Sequence, residues 1–129
     1  LGSDISVIAT SDCEVLFIEY EHLIKRCKKG CLYHNILTNN VLQLLSKKII
    51  DLNKRLEILS KRTIREKLLS YFELLVNDNP KRKFTLPFTY TDLADYLSVD
   101  RSAMMREIKN LKDDGFIETN GKRITLKSY

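Results

Sequence analysis

The segment TYTDLADYLSVDRSAMMREIKNL, from Thr89 to Leu111, is the part of the sequence that most constrains the fold. Thr89 can cap a first helix, because its hydroxyl can accept a hydrogen bond from the amide of Asp92 while the Asp92 carboxylate accepts from the amide of Thr89. That carboxylate also suits the partial positive charge of a helix start. An apolar face at helical spacing follows, made by Leu93, Ala94, Tyr96 and Leu97. The pattern predicts a short amphipathic helix that begins after Thr89.

A second helix is predicted directly after the first. Residues 98–100 provide a turn that ends in Asp100, a residue type that caps helix starts well. Met104, Ile108 and Leu111 then recur at spacings of four and three, so they can bury one side of the second helix against the first. The residues left facing outward are Arg101, Ser102, Met105, Arg106 and Lys109. Together the two segments predict a helix-turn-helix.

The outward face of the second helix indicates a surface for DNA. Arg101 and Arg106 lie near its start, and guanidinium groups bond bidentately to guanine in the major groove, which admits one helix. The candidate base-reading residues are Arg101, Ser102, Met105 and Arg106. Met105 can either touch a thymine methyl group or simply cover the helix surface. The alternative for the whole segment is an ordinary helix pair, since any amphipathic pair shows buried leucine and exposed arginine.

A basic hairpin is predicted after the second helix. Residues 116–119 and 122–126 read as two strands joined by a two-residue turn at Asn120-Gly121, a dipeptide that tolerates positive φ. Lys122 and Arg123 would then lie at the tip, where they can meet a phosphate or the neighbouring minor groove, although a solvated turn is the plain alternative. The candidate contacts to the DNA backbone are Thr89, Tyr90, Asp100, Ala103, Lys109, Lys122 and Arg123. A hairpin in this place predicts the winged form of the helix-turn-helix.

A long helix without Pro or Gly is predicted upstream, from about Tyr33 to Leu59. Its apolar residues alternate at spacings of three and four, which is typical of a coiled-coil seam. The predicted seam consists of Thr38, Leu42, Leu45, Ile49, Leu52, Leu56 and Leu59. We expect a parallel homodimer through this seam. The alternative is a core helix covered by its own chain, but little other helix or sheet is predicted that could cover so long a stripe.

Shorter elements are predicted around these two. Ile5, Val7 and Ala9 alternate, and after a turn residues 13–19 read as a second strand. Two strands alone are marginal in water, so they must pack on a helix, pair with another chain or belong to a larger barrel. Further expectations are a short helix at 21–26, a helix capped by Ser60 that ends at 77–80, and an edge strand at 84–86 before Pro87.

Composition limits the classes of function. The net charge of +5 over 129 residues agrees with a polyanionic partner, although charge alone does not establish one. No apolar run approaches the roughly 20 residues that span a membrane, and three cysteines without a secretory signal favour reduced thiols in the cytoplasm. Cys27 and Cys31 lack the further ligands of a metal site. No phosphate-cradling glycine loop, His-Glu-x-x-His helix or nucleophile with its base is found, so we expect no enzyme.

The second helix and hairpin, DRSAMMREIKNLKDDGFIETNGKRITL, resemble the C-terminal domain of the bacterial Crp/Fnr superfamily of transcription regulators. The segment SDCEVLFIEYEHLIKRC resembles the last barrel strand and following short helix of that family's cyclic-nucleotide-binding-like sensor domain. Between them lies a segment similar to its long dimerisation helix. The resemblance implies three parts: residues 1–31 as the remnant of the sensor domain, 32–59 as the dimerisation helix and 60–129 as the winged helix-turn-helix domain.

The resemblance also implies a mainly α fold with a small β portion, in which a β-hairpin remnant of the barrel precedes the dimerisation helix. Its partners would be double-stranded DNA at an inverted repeat, a second copy of the chain and RNA polymerase. The arginine and serine that hold a cyclic nucleotide's phosphate in the family would lie before Asp4, so no cofactor is expected in this chain and the effector stays open.

Two site residues can be compared with the family one by one. Arg101 and Arg106 match positions at which members read guanine. Ser102 stands where several members carry a base-reading glutamate, and a hydroxyl cannot accept from cytosine as a carboxylate does. We therefore expect a half-site different from the best-known one of the family. A winged-helix module that binds protein rather than DNA is the alternative function.

Overall fold

The computed structural model describes residues 6–25, 32–76 and 79–127. The chain divides into two compact units, residues 1–47 and 48–129. The first unit holds helix α1 (Tyr20–Ile24) and the beginning of helix α2 (Leu32–Leu59). The second unit holds the end of α2 and the elements α3 (Ile64–Val76), β1 (Lys83–Thr85), α4 (Tyr90–Leu97), α5 (Arg101–Asp113), β2 (Ile117–Asn120) and β3 (Arg123–Leu126). None of the helices within the described ranges combines the length and apolar character needed to cross a membrane.

The two strands predicted before α1 do not appear. Residues 6–19 form neither strand nor helix, and their side chains are exposed. Ile5, the first residue of the predicted alternation, lies outside the described residues. The physical reason is the lack of a partner, because a strand pair needs a further sheet or helix against which to bury one face. Val7 and Phe17 are accordingly more than nine-tenths exposed, at 93% and 91%.

The long helix α2 agrees with its sequence prediction almost to the residue. It covers Leu32–Leu59, with Ile58 as its buried residue. The serine expected to cap the next helix has another role, since the Ser60 hydroxyl donates to the carbonyl of Glu57 at 2.7 Å and so closes the end of α2.

The cap of α3 is Thr63, three residues later than predicted. The amide of Glu66 donates to the Thr63 hydroxyl at 3.2 Å, and the amide of Thr63 donates to the Glu66 carboxylate at 3.0 Å. This reciprocal pair satisfies two amides that a helix start leaves without partners. The hydrogen bonds from Thr63 lower the pKa of Glu66. Helix α3 then runs to Val76 with Leu68, Tyr71 and Phe72 buried.

The sheet has three antiparallel strands in the order β1-β3-β2, with β1 at an edge as predicted. The hairpin turn is one residue later than predicted, because Asn120 pairs with Arg123 and leaves Gly121 and Lys122 as the two turn residues. Gly121 has φ +60°, so the first turn residue is the glycine and not the asparagine of the predicted Asn-Gly turn. A glycine at the first turn position is the pattern of a type II′ turn, which matches the twist of a hairpin.

A single core joins the end of α2, helices α3 to α5 and the inner face of the sheet. Its fully buried side chains are Leu68, Phe72, Leu93, Leu97, Met104, Leu111, Ile117 and Ile124. An aromatic group borders this core, in which Tyr71 packs against Phe88 and Tyr96 with ring centroids 6.0 and 5.3 Å away. Burial raises the pKa of the Tyr71 hydroxyl to about 12. The guanidinium of Arg55, on α2, lies 4.7 Å from the centre of the Tyr96 ring and thereby joins α2 to α4.

Candidate nucleic-acid interface

Helices α4 and α5 form the predicted helix-turn-helix, and a left-handed residue sets the turn between them. Ser98 has φ +52°, and the Val99 amide donates to the carbonyl of Ala94 at 3.0 Å. Leu93, Ala94 and Leu97 of α4 are buried together with Met104, Ile108 and Leu111 of α5. The turn therefore fixes which side of α5 is buried and which side faces solvent.

The solvent side of α5 carries most of the predicted base-reading residues. Arg101, Ser102 and Arg106 are exposed, as is Lys109. Met105 differs, because it is half-buried and packs against the core. It therefore contributes to packing as well as to the surface. The face that remains open to a partner is polar and positively charged.

The start of α5 is closed by its own cap. The Asp100 carboxylate accepts from the amide of Ala103 at 2.8 Å. This contact occupies one of the amides that a helix start offers to an anion, and it places a negative charge at the positive end of the helix. The amide of Ala103, predicted to contact the DNA backbone, is thus already bound within the chain.

Two further predicted backbone contacts at the start of α4 are also engaged internally. The Thr89 hydroxyl accepts from the Asp92 amide at 3.2 Å and the Thr89 amide donates to the Asp92 carboxylate at 3.0 Å, which is the predicted capping box. The hydroxyl also donates to that carboxylate at 2.7 Å. Tyr90 donates its hydroxyl to the carbonyl of Gly121 at 2.8 Å. The tyrosine thereby fixes the hairpin turn to the start of α4, and burial raises its pKa.

The cations of the hairpin remain accessible. Lys122 lies in the turn and Arg123 begins β3, and both are exposed. The hydrogen bonds from Thr89, with a smaller contribution from the charge of Lys122, lower the pKa of Asp92. The ion pairs found among residues 6–25, 32–76 and 79–127 do not include Lys109, Lys122 or Arg123. Lys109, Lys122 and Arg123 are therefore available to a partner, whereas the polar groups of Thr89, Tyr90 and Asp100 are hydrogen-bonded within the chain.

A three-residue contact that sequence reasoning missed holds α5 against α3. Arg65, on α3, donates from Nε to Glu107 at 2.6 Å and from Nη2 to Asp114 at 2.5 Å. These hydrogen bonds raise the pKa of Arg65, and the bond from Arg65 lowers the pKa of Glu107. Glu107 immediately follows Arg106, so the contact anchors the helix beside a predicted base-reading residue. No local pattern reveals it, because its members are 42 and 49 positions apart.

The predicted seam of α2 is largely open in the single chain. Its central residues are more than half exposed: Leu42 58%, Leu45 51%, Ile49 57%, Leu52 51% and Leu56 63%. Leu59 is half-buried, and so is Thr38, whose hydroxyl makes a long contact of 3.5 Å with the carbonyl of Leu23. The chain itself therefore leaves the middle of the stripe uncovered.

The described residues contain no group of three His, Cys, Asp or Glu side chains placed to hold a metal ion. Cys27 and Cys31, the pair considered from the sequence, lie outside those residues.

Comparison with known proteins connects this geometry to a family. Residues 66–129 match the family of Crp-like helix-turn-helix domains. The transcriptional activator protein FnrL of Cereibacter sphaeroides is 32% identical over 75 residues, in an alignment that covers 51% of this chain and 30% of that protein. The aligned part therefore covers less than a third of the length of that relative. The matched region contains nearly all of α3 and the whole of α4, α5 and the sheet.

Proposed function

We propose that the chain is a DNA-binding transcription regulator of the Crp/Fnr family with a specific mode of binding, since residues 66–129 match Crp-like helix-turn-helix domains and a transcriptional activator is among its relatives. In this mode a homodimer binds an inverted repeat, and each copy places α5 in a major groove. Residues 60–129 act as the DNA-binding domain and residues 32–59 as the dimerisation helix.

The observation that carries the proposal is the exposure of Arg101 and Arg106 on a helix held on three sides. The cap at Asp100 fixes the start of α5, the contact with Arg65 fixes its far flank, and the core fixes its buried face. Two guanidinium groups on a rigid helix can each make a bidentate contact with guanine. Ser102 lies between them and offers a hydroxyl in place of a carboxylate.

Contacts to the sugar-phosphate backbone are assigned to the free cations Lys109, Lys122 and Arg123. The groups of Thr89, Tyr90 and Asp100 that are bound within the chain instead set the position of the hairpin and of α5. Such contacts to phosphate fix register on the duplex without reading sequence.

The exposed seam supports the dimer. Leucine and isoleucine side chains that are more than half exposed along about four turns of helix form an apolar stripe of the kind that a second copy covers. Two domains on such a helix would present their α5 helices to successive major grooves, about 34 Å apart on one face of the duplex. The target would then be an inverted repeat.

Residues 1–31 are assigned to the end of a sensor domain. On this assignment residues 6–19 become strands only when the other strands of a barrel are present, which agrees with their exposure here. Regulation would operate through RNA polymerase, in line with the word activator in the name of the relative.

Selection of bound duplexes from a random pool tests the proposal. We expect an inverted repeat with guanines in each half-site and a spacing of about one helical turn between the half-site centres. Binding should also weaken steeply with salt, because phosphate neutralisation releases counterions. Enrichment of no sequence, together with binding to another protein that is insensitive to salt, would favour a winged-helix module for protein contacts instead.

A further inference from the structure

The outer face of the three-stranded sheet forms a groove that lies outside the DNA surface predicted from the sequence. It has a volume of about 540 Å³. In the strand register Lys83 pairs with Thr125, and Thr85 pairs with Arg123, which pairs in turn with Asn120. Side chains in such rows lie on one face of the sheet. Phe84 and Ile124 occupy the alternate row, whose side chains pack towards the core.

Three cations from three different elements surround this groove. Lys83 comes from β1, Lys112 from the last turn of α5 and Arg123 from β3, and all three are exposed. The acid in the groove, Glu118, is matched by a fourth cation, since its carboxylate lies 2.8 Å from the Nζ of Lys127. That hydrogen bond, with a smaller effect of Lys83, lowers the pKa of Glu118. The groove therefore retains a net positive charge after its acid is paired.

The groove is continuous with both parts of the proposed DNA surface. Lys112 follows Met105 by two helical turns, so the two residues share one flank of α5, and Lys109 lies one turn before Lys112. Arg123 follows the hairpin turn directly. A duplex that contacts α5 and the hairpin would therefore have this face of the sheet beside it.

We propose that this groove binds the phosphate backbone of the duplex that flanks the base pairs read by α5. Lys83 and Lys112 would each neutralise a phosphate, and neutral donors such as Thr85, Asn120 and Thr125 would complete the contact. Four of the ten lining residues are threonine or asparagine and three are cationic. This composition suits phosphate oxygens, whereas the centres of protein interfaces are rich in Trp and Tyr.

This inference rests on the proposed function, and duplex length separates the two. The chain would be titrated with a duplex that ends at the outer base pairs of the selected site and with one extended by about one turn, roughly 10 base pairs, at each end. The variant Lys83→Gln with Lys112→Gln would be compared with Lys47→Gln with Lys54→Gln. The control residues are exposed on α2, on the side away from the seam.

On the extended duplex, we expect the groove variant to lower the slope of log affinity against log salt by about 3.6 for the dimer, since each copy loses two phosphate contacts and each contact contributes about 0.9. On the short duplex the groove variant, the control variant and the wild type should have equal slopes. Circular dichroism would verify that both variants fold. An unchanged slope on the extended duplex would overturn the assignment. The same result is expected if the groove binds an acidic protein in place of DNA. A wild-type chain that bound neither duplex would instead overturn the proposed function.

Discussion

Arg106 is the residue whose replacement best separates reading of a base from general attraction to DNA. It is exposed on the face of α5 opposite the core. Loss of a bidentate contact to guanine in Arg106→Ala should cost about 1–3 kcal/mol on the selected site and relax the preference at one base pair. Affinity measured on the selected site and on single-base variants of it checks this expectation.

Lys122→Ala is the matched comparison, because it also removes one exposed cation. We expect it to weaken binding to all sequences alike and to lower the salt slope of the dimer by about 1.8, because each copy loses one phosphate contact worth about 0.9. Equal losses on selected and scrambled duplexes for both variants would contradict the assignment of Arg106 to base reading.

Ser98 bears the most constrained backbone in the turn between α4 and α5, with φ +52°. A β-branched side chain is strongly disfavoured there, so Ser98→Val should lower the free energy of unfolding by about 1–2 kcal/mol. Ser98→Gly should stay within roughly 0.5 kcal/mol of the wild type, because relief of strain offsets the greater freedom of glycine in the unfolded chain. Urea unfolding followed by circular dichroism distinguishes the two, and a Val variant as stable as the Gly variant would refute the argument.

Residues whose roles depend on near neighbours could be predicted from the sequence. The caps at Thr89 and Asp100 are interactions over three positions, and both are confirmed. The cap at Ser60 was wrong because Thr63 and Glu66 form a capping box nearer to the apolar face of α3. The contacts of Arg65 had no local signal, since Glu107 and Asp114 follow it in the sequence by 42 and 49 positions. Residue-level prediction thus fails where a contact is made by the tertiary fold.

The contact of Arg65 on α3 with Glu107 on α5 predicts how the stability of the folded protein depends on pH. The bond from Arg65 lowers the pKa of Glu107 below its ordinary value of 4.5. A carboxyl group with a lowered pKa in the folded state contributes stability that is complete above its unfolded pKa. That stability is lost as the pH falls from about 4.5 through the lower folded value. The variant Glu107→Gln should therefore lose stability at pH 7 and show a shallower decline on acidification.

Thermal unfolding of this variant from pH 7 to pH 3 provides the measurement. Glu73→Gln makes the same change of charge at an exposed position of α3 and serves as the control. If the two variants followed the same curve, the contact with Arg65 would contribute nothing to the packing of α5 on α3.

Elements with their own periodicity were predicted well, and elements that need a partner were not. Helices α2, α4 and α5 follow from apolar spacing and end signals within each segment. The hairpin was also predicted, but its turn lies one residue later, with Gly121 at φ +60° as its first residue. The strands expected in residues 6–19 are absent, because none of the described strands pairs with that segment to complete its hydrogen bonds.

At the scale of the whole molecule, the proposed mode of binding joins two properties that the single chain shows separately. One is a polar, cationic face on α5, and the other is an apolar stripe on α2 that its own chain leaves more than half exposed. A monomer gains little from a stripe of that kind, because exposed apolar surface of this extent is rare without a partner. Dimerisation would bury the stripe and couple two weak half-site contacts into one strong contact.

The decisive prediction at this scale uses Leu45 and Leu52, which are each 51% exposed in the seam. Leu45→Glu with Leu52→Glu should convert a dimer into a monomer in sedimentation, because carboxylates would face one another in the buried seam. Affinity for the inverted repeat should fall by about 100-fold or more, towards that for an isolated half-site, since the linked second contact is lost. Gln43→Glu with Lys54→Gln makes the same change in net charge outside the seam and should remain dimeric. A wild-type chain that sediments as a monomer at micromolar concentration, or a seam variant that still binds the repeat as a dimer, would show that α2 does not join two copies.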